Sequence, residues 1–272
     1  MPGNNRLKIP HGFSDTAARM FRKLTLLLFL TMFLMSLAAC ASSQKQTERE
    51  KQIDTDYQMA LNFYQHDKTP EAIRQLALVL ASDPDHAEAN HLMGFIRLGR
   101  GQYEEAVKHF QRALKTNPDM LECRNNLGVA YMHLEQYEDA AVIFKDLTKS
   151  PLYTSPWLAF VNLGWAYYQM GMLAEAIDET EMAIELGPDL CLGYNNLGIF
   201  YQQQKREDKA IQRLEEAVKL CPNYAEPHLH LGHIYEANGD PSAAYMHFRK
   251  CADLSPKSDL GRRCRQNADM MR

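Results

Sequence analysis

The feature that most constrains this chain is a unit of 34 residues that recurs from Ile53 to Lys257. Its fullest copy is Cys191–Pro222, CLGYNNLGIFYQQQKREDKAIQRLEEAVKLCP, with fixed points at Leu197-Gly198, Tyr201, Ala210, Leu214, Ala217 and Pro222. One period earlier stand Leu163-Gly164, Tyr167, Ala176, Thr180, Ala183 and Pro188. One period later stand Leu231-Gly232, Tyr235, Ala244, Phe248, Cys251 and Pro256. Earlier copies carry Leu127-Gly128, Tyr131, Ala140, Phe144 and Leu147, then Met93-Gly94, Ala106, Phe110, Ala113 and Pro118. The first copy is the most worn, with Met59-Ala60, Phe63, Ala72, Leu76, Val79 and Pro84. A period of this size decides the fold before any local reading does.

Within each copy, Leu and Tyr at three- and four-residue spacing mark the apolar stripe of a first helix. Phe or Leu mark that of a second. The small residue in the first helix (Ala60, Gly94, Gly128, Gly164, Gly198, Gly232) sits where glycine costs about 1 kcal/mol against alanine. That recurrence points to close approach by another helix, and the alanine twelve residues later is expected to meet it. The closing proline cannot continue a helix and forces the turn into the next pair. A pair of antiparallel helices cannot bury both faces alone, so copies stack. The expected fold is all-α: six helix-turn-helix repeats over residues 53–257, then a capping segment 258–272 with a helix Asp259–Met271. The unit resembles the tetratricopeptide repeat in length, helix pair and motif. The resemblance implies a superhelix whose first helices line the concave side.

The N-terminus stands outside that pattern. Leu24–Ala39 is sixteen residues without a charge, preceded by Arg19, Arg22 and Lys23. A basic n-region, an apolar h-region and small residues together read as a secretory signal. The run is shorter than the about 20 apolar residues a membrane-spanning helix needs. MFRKLTLLLFL would serve as a start by itself, so Met20 is a second candidate initiator. Leu37-Ala38-Ala39-Cys40 resembles a bacterial lipobox, which implies removal of residues 1–39 and lipid on the sulfur and amino group of Cys40. An ordinary signal with an incidental cysteine, or an uncleaved anchor, is the alternative. Residue 41 is Ala rather than Asp, and the resemblance then implies export to the outer membrane, anchored on its periplasmic face. Residues 40–55 are expected to be the lipidated N-terminus and a polar linker, with a coil reach of about 20 Å.

Without residues 1–39 the chain has 25 basic and 33 acidic residues, a formal charge of −8. That balance does not suggest a nucleic-acid partner, which asks for clustered Lys and Arg. Anionic lipid is likewise not expected as an electrostatic partner; the acyl chains would hold the membrane.

The period slips once. Leu127-Gly128 to Leu163-Gly164 spans 36 residues, and the two extra fall in Lys149–Leu158, KSPLYTSPWL. A longer connection on a solenoid can serve binding; a tolerated loop with Trp157 tucked against the next helix is the plainer reading. Here PLYTSPWLAFVNLGWAYYQMG, after a NNLGVAY repeat, resembles the type IV pilus pilotins, the PilF, PilW and Tgl lipoproteins of Gram-negative bacteria. The later CLGYNNLG and the cysteine-bearing C-terminus place it nearest the Tgl branch. The resemblance covers Cys40–Arg272. It implies an outer-membrane lipoprotein that binds the pilus secretin and promotes its assembly and localisation. The alternative is a general envelope scaffold recruiting peptidoglycan enzymes or outer-membrane assembly factors.

Five cysteines remain beside Cys40. Cys191 opens a first helix and Cys221 follows the second, so antiparallel packing brings them near each other. Cys251 lies late in the last repeat and Cys264 on the trailing helix that packs against it. Two disulfides, Cys191–Cys221 and Cys251–Cys264, are therefore candidates in a compartment that permits them; five buried apolar cysteines are the other reading. His228, His230 and His233 lack a Cys or carboxylate at zinc-site spacing, and no metal site is expected. No nucleophile elbow, P-loop, dinucleotide fingerprint or HExxH is present. An enzyme, a cofactor and a small-molecule substrate are not expected.

Function should then reside in the groove. Reading each first helix at i, i+4 and i+7 gives one face, and the first four faces are largely apolar and aromatic. The candidate partner-binding residues are Leu61, Tyr64, Phe95, Leu98, Asn125, Val129, Met132, Trp165, Tyr168 and Asn195. The asparagines among them can bond a peptide backbone, and the composition suits a captured protein segment. Some of these residues could instead pack against the neighbouring repeat.

Overall fold

The computed structural model describes residues 15–271, and all the regular structure among them is helical. It divides into two compact units, Met1–Ser82 and Asp83–Arg272. In the first, α1 (Asp15–Gln65) packs on α2 (Thr69–Ser82) over the buried Ala60, Ala72, Leu76 and Val79. The last part of α1 and α2 form the first helix hairpin. No helix among the described residues is long and apolar enough to cross a membrane. The side chain of Cys40, like those of most residues before Gln46, lies outside the described residues.

The polar stretch 41–55 is helical and continuous with α1, which corrects the expectation of a coil linker. Its Gln, Lys, Glu and Arg are good helix formers. Residues four apart bridge successive turns: Gln46 donates to Glu50 at 3.1 Å, Gln52 to Asp56 at 2.9 Å, and Thr55 to the Lys51 carbonyl at 2.8 Å. Arg49 donates to the Ser82 carbonyl at 2.6 Å and ties the helix to the end of α2. Fourteen helical steps rise about 21 Å, so the segment keeps the expected reach as a strut.

The second unit holds α3 (Ala87–Gly99), α4 (Tyr103–Thr116), α5 (Leu121–His133), α6 (Tyr137–Thr148), α7 (Pro156–Gln169) and α8 (Leu173–Leu186). It continues with α9 (Cys191–Gln203), α10 (Glu207–Leu220), α11 (Glu226–Ala237), α12 (Pro241–Leu254) and α13 (Asp259–Met270). These are five hairpins and a cap, which with the hairpin of the first unit make the six expected pairs. Within the second unit each second helix packs on the helix that follows it, and successive first helices also touch each other. Within this unit the first helices therefore form the inner layer. At the turn inside each hairpin one residue is left-handed: Asp67, Gly101, Glu135, Gly171, Lys205 and Gly239, with φ between 58° and 78°. This conformation closes a helix C-terminus by returning the next amides to the last carbonyls, as Gly101 and Gln102 do to Leu98 and Arg97.

The close approach at the small residue is real, and its main partner is the side chain sixteen positions later; the expected alanine takes part only at Gly164, where the Ala176 carbonyl would stand 2.9 Å from an added Cβ, beside Thr180. A Cβ on Gly128 would stand 2.7 Å from the Phe144 ring, and one on Gly198 would stand 2.5 Å from Leu214. Phe110, Phe144, Leu214 and Phe248 are fully buried against these glycines. The alanines (Ala106, Ala140, Ala176, Ala210, Ala244) are also fully buried, one turn earlier on the same helices.

Disulfides join Cys191 to Cys221 and Cys251 to Cys264, with Cα separations of 6.1 and 5.9 Å. These are the two pairs expected from helix position. Cys123 is free and buried, its thiol pushed up to about 12 by burial. In the long connection after α6, Tyr153 is buried and Leu152 is 79% exposed. Trp157 lies over Gly187, where a Cβ would come within 3.0 Å of the indole. Trp157 is thus tucked against the α8–α9 turn.

Candidate functional site: a recess on the inner face

Neighbouring first helices are linked by a regular polar contact. Asn126 meets His91 Nε2 at 3.1 Å, and Asn162 donates to Asn125 Oδ1 at 3.3 Å. Each pair joins one helix to the next, 35 and 37 residues apart in sequence. Burial lowers the pKa of His91, which keeps it neutral and able to take part in such a bond. The second contact fixes the register of α5 against α7, and the recess lies between those two helices.

That recess, of about 370 Å³, is lined by Val129, Met132, His133, Glu135, Tyr137, Asn162, Trp165 and Gln169. Val129 and Met132 present half-buried apolar surface, with their inner sides packed on the α5–α7 core. Trp165 lies 5.2 Å from Tyr168 and 6.0 Å from Phe200, ring centre to ring centre, so the next repeat holds the indole in place. Tyr168 stacks on Phe200 at 4.7 Å. At the mouth, the His133 ring lies parallel to Tyr103 at 4.4 Å. Glu135 is the left-handed residue of the turn, with φ 60°. The site thus offers an apolar floor with a rigid aromatic wall, two carboxamides and one carboxylate. Such a surface can take an apolar side chain while hydrogen-bonding a peptide backbone.

Of the ten candidate groove residues, Val129, Met132 and Trp165 meet in this recess. Phe95 (41% exposed), Leu98, Asn125 and Tyr168 lie on the same layer of first helices outside it. Asn195 is a correction: it is 1% exposed, with its Oδ1 unpartnered, and is not open to a peptide. Val161, which opens the i, i+4, i+7 set of α7 that contains Trp165 and Tyr168, is likewise buried. Leu61 and Tyr64 are half-buried on α1, in the other unit. Asn162, Gln169, Tyr137, His133 and Glu135 escaped the sequence reading. On α7 the lining face runs 162, 165, 169, one residue on from the face that begins at Val161. The wall from Tyr137 belongs to a second helix, which a reading of first helices alone cannot supply.

The histidines of the last repeats bond to each other or to a neighbouring acid. His228 Nδ1 meets His247 Nδ1 at 3.0 Å, and His233 meets Glu236 at 3.3 Å. Among the described residues no group of three or more His, Cys, Asp and Glu side chains could hold a metal ion.

Sequence profiles of the tetratricopeptide repeat match residues 97–151, 158–189, 201–239 and 225–258. Together with the stacked hairpins they define a tetratricopeptide-repeat protein, a scaffold class typical of non-catalytic protein–protein interaction. No curated protein matches the chain in sequence. Among solved structures, it is similar to PilW, described as a widely conserved type IV pilus biogenesis factor. The TM-score is 0.68 at 20% identity, over 78% of this chain and 97% of PilW. PilF of Pseudomonas aeruginosa is similar over 80% of this chain and 98% of its own, with a TM-score of 0.64 at 20% identity. A thermophilic tetratricopeptide-repeat protein of Thermus thermophilus is similar over 66% of this chain and 98% of its own, with a TM-score of 0.60 at 24% identity. At these identities the likeness is one of fold.

Proposed function

We propose that this chain is an outer-membrane lipoprotein, processed and lipidated at Cys40, that binds the type IV pilus secretin. On this reading it promotes secretin assembly and localisation from the periplasmic face, by capturing a secretin segment on its inner layer of first helices. The observation that carries the reading is the α5–α7 recess, an apolar and carboxamide-lined site on the layer that repeat scaffolds use for capture. The Leu37–Cys40 motif, with Ala41 behind it, supports the anchor, and the fold likeness to PilW and PilF supports the setting. Anchoring matters because it holds the scaffold where the secretin must assemble. Cys40→Ala should therefore release the protein from outer-membrane fractions and leave monomeric secretin accumulating. An unchanged mass of the mature N-terminus, with unchanged fractionation, would refute lipidation. Normal secretin multimers in the released variant would refute the role assigned to the anchor.

A further inference from the structure

Charge is segregated along the second unit far more sharply than the total suggests. Residues 150–204 contain six acids and no Lys or Arg. Five of those acids are on α8: Glu175, Asp178, Glu179, Glu181 and Glu185. Like charges three and four residues apart repel along a helix, and Glu185 stands in the last turn, where the helix dipole disfavours an acid. Two of the five have local partners. Glu181 accepts from Tyr201 at 2.8 Å, and Lys145 lies beside Glu179. Glu175, Asp178 and Glu185 are exposed, and exposed Met182 and Leu186 share their stripe.

The far end of the unit is the reverse. Residues 241–271 hold six basic residues and three aspartates. On α12, exposed Met246 shares a stripe with Arg249 and Lys250; on α13, Arg262, Arg263, Arg265 and Met270 are exposed. Arg249 pairs with Asp253 at 3.9 Å and Arg262 pairs with Asp259. Those aspartates, set among the arginines, would face a uniformly anionic lipid surface with like charge. A discrete carboxylate-bearing helix can sit between them, and guanidinium forks suit carboxylates.

We infer that the basic α12–α13 cap of one copy docks on the acidic outer face of α8 of a second copy. Each face supplies exposed methionine at its centre and charge around it, and each matches the other in sign. The two patches are different, so the contact is heterologous and adds copies head to tail. This inference is independent of the secretin reading.

The test uses the full chain in detergent micelles, followed by analytical ultracentrifugation over a range of concentrations. Wild-type mass should rise with concentration in about 0.05 M salt. It should fall back to one copy in about 1 M salt, where the screening length is only about 3 Å. Arg263→Glu with Arg265→Glu should abolish association, as should Asp178→Lys with Glu185→Lys. All four residues are exposed, and of them Arg265 alone donates to the backbone, at the Pro256 carbonyl, so circular dichroism should be unchanged and melting nearly so. Mixing the two variants should restore the assembly, because each reversed face then meets its complement. One copy throughout in low salt would overturn the inference, and so would variants that associate as the wild type does. Binding of the wild type to vesicles containing phosphatidylglycerol, lost in the Arg263/Arg265 variant and without self-association, would reassign the cap to the membrane.

Discussion

In the hairpins α5–α6 and α7–α8 the inner face is half-exposed, apolar and free of cross-links. From α9 to α13 two disulfides close the stack, the corresponding positions hold buried Asn195 and His233 paired with Glu236, and a His228–His247 contact joins α11 to α12. The difference follows from position. A middle repeat has a neighbour on each side to bury its stripes, so its inner residues need not serve stability alone. The last repeat has only α13 beyond it, and terminal repeats of a solenoid fray first. Cross-linking there constrains the unfolded chain where packing is thinnest. The middle keeps its Met, Val and Trp available.

The most forceful way to break the middle is Phe144→Ala. The ring is fully buried against Gly128 and has no room to be replaced. Loss of about 3–5 kcal/mol is expected, read from the midpoint of chemical denaturation. The same experiment on Met132→Ala should cost visibly less, since that side chain is half-exposed.

Reduction attacks the other region. The bridges close loops with sequence separations of 30 and 13, and each contributes about 3 kcal/mol by loop entropy. Dithiothreitol should lower the melting temperature and move the first proteolytic cuts into residues 191–271. If cleavage still begins between α5 and α8, the cap is not held by its disulfides.

Acid sharpens the comparison with a smaller effect. Burial, then the neighbouring His247 and Lys250, hold His228 down at about 4. The folded state therefore resists a proton that the unfolded chain accepts near 6.5. Stability from this site is present above 6.5 and is lost as the pH falls from 6.5 towards 4. At the same repeat position the α3–α4 hairpin pairs Asn90 with His109 at 3.0 Å. His228→Asn should copy that pair and flatten the acid slope in pH-dependent melting. An unchanged slope would place its origin elsewhere.

The fold was legible because the period repeats its evidence: a small residue, an alanine and a large apolar residue recur at fixed offsets. Even the disulfides followed from helix order. The partner of the small residue was not, since an offset of twelve and one of sixteen both fall on the second helix and only packing separates them. The helical state of 41–55 was hidden by its lack of an apolar stripe, although Gln46–Glu50 and Gln52–Asp56 carry the spacing that bridges turns. In the recess, Met132, Val129 and Trp165 were readable as unexplained apolar residues. Asn162 and Gln169 were missed because a one-residue rotation of α7 sends Val161 into the core and brings its neighbour to the surface.

On the proposed function, the α5–α7 recess captures the secretin segment. The most direct measurement is secretin multimer formation in cells whose only copy of this protein carries Met132→Glu, with Gln169→Lys as a second variant at an exposed lining position. Melting temperature and outer-membrane fractionation are followed in the same cells, so a folding defect is recognised as such. Both variants are expected to stay folded and membrane-bound while secretin multimers fall about tenfold or more, the loss of roughly 1.4 kcal/mol of binding. Wild-type levels of multimer with both variants folded would contradict it.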